Sequence, residues 1–130
     1  LLNNAVQNFI LAAERDPENF KYYEKIAQTY QLLAENSPQL QKDKLLHNSL
    51  THAQKAVSLY PGSARLHYLL AQSAQKLNKT QTARRHYKTA IEIENSYREL
   101  FKKMYPDRKP VSRLPKEKYK NAKNQLNSLP

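Results

Sequence analysis

The chain has no cysteine and no tryptophan, one glycine, one methionine, and 11 acidic residues against 22 basic ones. Each shortage excludes something. Without cysteine there are no disulfides and no thiolate zinc sites. A single glycine, Gly62, cannot build a glycine-rich phosphate cradle. Few Val and Ile, together with seven Pro, argue against a sheet. The longest apolar runs are a few residues, where a bilayer span needs about 20.

What is present is helical periodicity over 130 residues, enough for one domain. Leu2, Ala5, Val6, Phe9, Ala12 and Ala13 recur at steps of three and four, and Asp16-Pro17 stops that helix. The same reasoning predicts helices near 1–15, 19–34, 40–60, 63–76, 80–94, 96–105 and 115–128. Pro61-Gly62 terminates the third, Ser63 is a suitable N-cap for the fourth, and Asn78 sits in the next turn. Ser37-Pro38 is a helix start that would extend the third helix backwards, since Ser can cap and Pro suits the first helical position. A loop or a separate short helix is the rival for 34–43. Tyr97, Leu100, Phe101 and Met104 form the apolar stripe of the 96–105 helix.

One ladder of residues appears three times. Tyr23-x-x-Ile26-Ala27-x-x-Tyr30 and His67-x-x-Leu70-Ala71-x-x-Ala74 mark one kind of helix. Ala5-x-x-x-Phe9-x-x-Ala12 with Pro17, and Ala83-x-x-x-Tyr87-x-x-Ala90 with Asn95, mark the other. Ser49-x-x-x-Ala53-x-x-Ala56 with Pro61 is a weaker copy. This pattern resembles the tetratricopeptide repeat (TPR) family, whose unit is about 34 residues of helix–turn–helix. The resemblance implies an all-α fold of antiparallel helix hairpins stacked as a short TPR solenoid with C-terminal capping helices. The array would cover 1–95, as a partial repeat at 1–19, an enlarged repeat at 20–62 and a repeat at 63–95. Residues 96–130 would be a basic C-terminal capping extension. The chain starts without Met, inside a repeat, and is expected to be a piece of a longer protein. Its first helix lacks a hairpin partner. Leu1, Leu2, Val6 or Ile10 would then stay exposed, and a homodimer through this end is expected.

The same resemblance implies a concave groove lined by the first helix of each hairpin. The residues at its groove positions are Lys21, Glu24, Gln28 and Gln31, then Arg65, Tyr68, Gln72 and Gln75. They would bind a protein or peptide segment, with glutamine amides that both donate and accept hydrogen bonds. Glu24 stands where carboxylate-clamping members of the family carry Lys, and it would repel such a ligand. No enzyme activity, cofactor or metal is expected. His47, His52, His67 and His86 share no ligand spacing, and His67 is expected to pack inside.

Charge is unevenly distributed. Residues 101–130 contain Lys102, Lys103, Arg108, Lys109, Arg113, Lys116, Lys118, Lys120 and Lys123 against Asp107 and Glu117, which leaves +7 of the total +11 in this segment. Two readings follow: lysines that keep an array end soluble, or a docking site for an acidic partner, phosphate groups or an anionic membrane surface. Nucleic acid is the weaker expectation. This tail, with Phe101-Lys-Lys-Met-Tyr-Pro106 and Arg113-Leu-Pro-Lys-Glu-Lys-Tyr119, also resembles the extension after the repeats in bacterial membrane proteins of the O-antigen ligase or polymerase type. That resemblance implies a soluble recruiting or regulatory domain of a membrane glycan enzyme, cytoplasmic and attached to a membrane protein.

Overall fold

A computed structural model describes all residues, 1–130. The chain forms six helices and no strand: α1 (Leu2–Arg15), α2 (Phe20–Glu35), α3 (Gln39–Leu59), α4 (Ala64–Lys76), α5 (Thr80–Met104) and α6 (Lys116–Ser128). No helix is long and apolar enough to cross a membrane. The local signals act as their chemistry dictates. The Asn19 side chain accepts from the Lys21 amide at 3.1 Å, and the Ser63 hydroxyl accepts from the Leu66 amide at 3.3 Å. Each satisfies an amide that the first helical turn leaves unpaired. Asn78 takes φ 60°, a left-handed conformation that Asn tolerates, and this lets the Lys79 amide fold back on the Ala74 carbonyl at 2.9 Å.

The helices pair as hairpins, α2 with α3 and α4 with α5. The hairpins stack through α3 on α4, with α1 covering α2 and α6 covering α5. Ala27, Ala53, Ala56, Ala71, Ala74, Ala83 and Ala90 are fully buried, which lets backbones approach closely. Ile26, Leu46, Leu66, Leu70 and Tyr87 fill the space beside them. The result is a short solenoid of antiparallel hairpins closed by a C-terminal helix.

The structure departs from the sequence expectations at four places. First, the helices expected at 80–94 and 96–105 are one 25-residue helix, α5. Neither Asn95 nor Ser96 breaks a backbone, and Glu94 bonds to Arg98 one turn later at 3.1 Å, which supports continuity. Second, α3 begins at Gln39, in line with the helix expected from about 40 and not with a loop, but its start is built differently. Ser37 does not cap it: Pro38 stands at the cap position, and the Ser37 hydroxyl donates back to the Leu33 carbonyl at 2.6 Å. Third, Leu100 and Met104 are exposed (57% and 60%), because no helix covers that flank of the α5 overhang. Fourth, Val6 is buried and Ile10 half-buried, so only Leu1 and Leu2 of the residues expected at the open N-terminal end are exposed.

Candidate functional site

Helices α2, α4 and α6 form a row on one side of the stack. The Asn121 amide of α6 donates to the Tyr68 hydroxyl at 2.6 Å, and the Gln75 amide donates to the Gln125 side-chain oxygen at 2.6 Å. These bonds seat α6 beside α4. A cleft of about 360 Å³ opens along this row, lined by Gln28, Gln31, Leu32 and Glu35 of α2, by Arg65, Tyr68, Leu69 and Gln72 of α4, and by Lys118 of α6.

The eight groove positions read from the sequence divide into two sets. Five are engaged within the chain. Glu24 is buried and takes a bidentate fork from Arg65, whose Nε and Nη2 donate to the two carboxylate oxygens at 2.5 and 3.1 Å. This pair joins α2 to α4 and raises the Arg65 guanidinium above its ordinary value, chiefly through the hydrogen bond to Glu24. Gln31 is buried and donates to the Ser73 hydroxyl at 2.8 Å and to the Leu69 carbonyl at 3.4 Å. Tyr68 is buried under α6, and Gln75 bonds to both Gln125 and Tyr87. Glu24, Gln31 and Tyr68, expected to face a ligand, are thus buried and engaged in contacts between helices. Gln28 and Gln72 are half-buried and line the cleft, and Lys21 is exposed beside a separate cavity at the start of α2.

Beneath the groove lies a polar relay that the sequence did not single out. Carbonyl oxygens only accept, which fixes the direction of each bond. Gln31 donates to Ser73, Ser73 to Ser49 at 2.8 Å, and Ser49 to the Ala27 carbonyl at 2.8 Å. Three helices are tied by one chain of bonds with every buried side-chain polar atom satisfied. Ser49 belonged to the weak middle ladder, but nothing in the spacing indicated that Ser73 would meet it.

His67 is buried, as expected, and its Nε2–H donates to the Pro61 carbonyl at 2.7 Å. Its Nδ1 then accepts from His86 Nδ1–H at 2.9 Å in the neutral pair. Burial, then the neighbouring His67 and Arg85, push His86 down to about 4. No group of three or more His, Cys, Asp or Glu is placed to hold a metal.

The basic residues of the tail do not form one surface. Arg113 lies over the Tyr97 ring at 4.3 Å, Arg108 over Tyr105 at 5.3 Å and Lys118 over Tyr68 at 5.7 Å. Lys102, Lys116, Lys120 and Lys123 converge on a second cleft together with Arg98. Lys103 and Lys109 are exposed outside it. Glu94, fully buried, accepts from Arg98 Nε and from the Leu114 amide, both at 3.1 Å, and so pins the 105–115 connection to α5.

No known family matches the sequence, and no curated protein does. Among solved structures the chain is similar to a thermophilic TPR protein of Thermus thermophilus, at 21% identity and a TM-score of 0.64. The match covers 98% of this chain and 66% of that protein, so the chain spans just under two thirds of its neighbour's length. The fold is thus a short TPR solenoid, all-α, with its stacked hairpins closed by a C-terminal helix.

Proposed function

We infer that the chain is a non-catalytic interaction module that holds a peptide or protein segment in the groove of α2, α4 and α6. The observation that carries this reading is the division of labour among the groove residues. Glu24, Arg65, Gln31, Tyr68 and Gln75 form a frame, while Gln28 and Gln72 line the cleft together with Leu32 and Leu69. Two amides next to two leucines suit an extended segment, whose backbone needs donors and acceptors and whose side chains need apolar contact. The surrounding ion pair and hydroxyl relay hold the helices in place, so little ordering is needed on binding. Glu35 and Lys118 on the rim favour a segment of mixed charge over a bare carboxylate terminus.

Selection from a random peptide library, followed by titration against variants, tests this. Selected peptides should lose about fivefold or more in affinity with Gln28→Ala/Gln72→Ala, and little with Gln54→Ala on exposed α3. Peptides insensitive to the groove variant would overturn the reading.

A further inference from the structure

Five cations face one another across a cleft of about 590 Å³ between the second half of α5 and α6. Arg98 and Lys102 stand one turn apart on α5. Lys116, Lys120 and Lys123 recur at steps of four and three on α6. Ser112 and Pro110 of the connection complete the lining with Tyr119, and no carboxylate contributes to it.

This arrangement works against the fold. Like charges one turn apart on a helix repel, as Lys116, Lys120 and Lys123 do on α6, and here these also face Lys102 of α5 across the cleft. None of the four lysines has a carboxylate within ion-pair distance, and only Arg98 is neutralised, by Glu94. The lysines are exposed, so packing does not demand them; glutamine would serve the helix equally well. The parts that position the cleft, in contrast, are firmly held. Arg98 Nη2 donates to the Ser112 hydroxyl at 2.9 Å, and Tyr119 donates to Asn95 at 2.7 Å. A rigid frame that concentrates unpaired positive charge in a concavity focuses its field on whatever enters.

We propose that this cleft is a binding site for a compact, soluble anion carrying several phosphate groups, distinct from the groove of α2, α4 and α6. The shape favours a discrete ligand over a bilayer, because opposed ladders across a cavity surround an anion, whereas a flat headgroup layer meets only the rim. The ring of Tyr119 argues against single-stranded nucleic acid. Arg98 and Lys123 already lie over it at 4.6 and 4.7 Å, and its hydroxyl is engaged, so it acts as a strut and not as a platform for bases. Phosphate oxygens match both donor types present, the ammonium point charges and the guanidinium edge.

Inorganic tripolyphosphate, titrated calorimetrically into the intact chain at about 50 mM salt, is the probe, since surface charge is still felt at that ionic strength. The wild-type chain should bind it. Lys116→Gln/Lys120→Gln should weaken binding by about tenfold or more, while the same charge removal at Lys103→Gln/Lys109→Gln, outside the cleft, should weaken it by about threefold or less. Thermal unfolding checks that each variant folds, and Lys102→Gln/Lys123→Gln provides a second cleft pair if the first does not. Phosphatidylserine vesicles form the other arm, and the cleft pair and the Lys103/Lys109 pair should affect any binding to them equally. The proposal is overturned if the wild type ignores tripolyphosphate, if the two lysine pairs weaken it alike, or if only vesicle binding depends on the cleft.

Discussion

Ser73 illustrates how a small residue can carry a large share of the contact between hairpins. Its hydroxyl accepts from Gln31 and donates to Ser49, and all three are buried. Ser73→Ala leaves the Gln31 amide short of its better acceptor and removes the donor to Ser49. A buried polar group without a partner costs about 1–3 kcal/mol. Chemical denaturation of Ser73→Ala should show a loss in that range, and Ser58→Ala, on the exposed face of α3, should show almost none. The His67–His86 pair supplies a pH dependence. His86 sits at about 4 in the folded chain, below the ordinary 6.5. Between those values the unfolded chain binds more protons than the folded one, so stability rises with pH through that window and is lost on acidification. Because His86 is only partly buried, the effect is on the order of 1 kcal/mol. Unfolding midpoints measured from pH 7 down to about 4 should fall, and His86→Gln should flatten this part of the curve.

Among the elements, α5 and α3 are the irregular ones, and each overhangs the stack. Near the end of α5, Glu94, a buried carboxylate, holds Arg98 and the Leu114 amide and so ties the 105–115 connection to the helix. Glu94→Ala should cost about 2–4 kcal/mol, since it strips the partner from a half-buried cation and frees the anchor of the 105–115 connection. Hydrogen exchange should then accelerate in α6 while the α2–α3 hairpin stays protected; uniform acceleration would show that α6 is not a separate unit. In α3 the first turns project beyond their neighbours, and Leu40 is 94% exposed. Leu40→Ser should leave stability nearly unchanged, while Leu50→Ala, in the packed part of the same helix, should cost about 2–5 kcal/mol.

For the molecule as a whole, the architecture was legible because its signals are local. Pro17 and Pro61 end the helices before them, Asn78 takes the left-handed turn after α4, and the Ala ladders mark close helix contacts. The fusion across Asn95 was not legible. The repeat pattern suggested a boundary there, yet nothing in the backbone enforces one. At the groove, helical spacing located the positions on each helix face but not what occupies them. Whether Glu24 meets a ligand or Arg65 depends on how two hairpins dock, which no single-helix spacing contains. The charge of the tail was equally plain, but its division between ring contacts and one cleft required Arg98, a residue outside the charged segment, and the placement of α6.

Binding to the face formed by α2, α4 and α6 can be followed by recording backbone amide shifts of the chain while a library-selected peptide is titrated in. Perturbations should centre on Gln28, Leu32, Leu69, Gln72 and Lys118, with Glu24 and Arg65 little moved because their pair is already formed. Perturbations centred instead on the outer faces of α3 and α5, with the groove silent, would place the interaction elsewhere and refute the groove as its site.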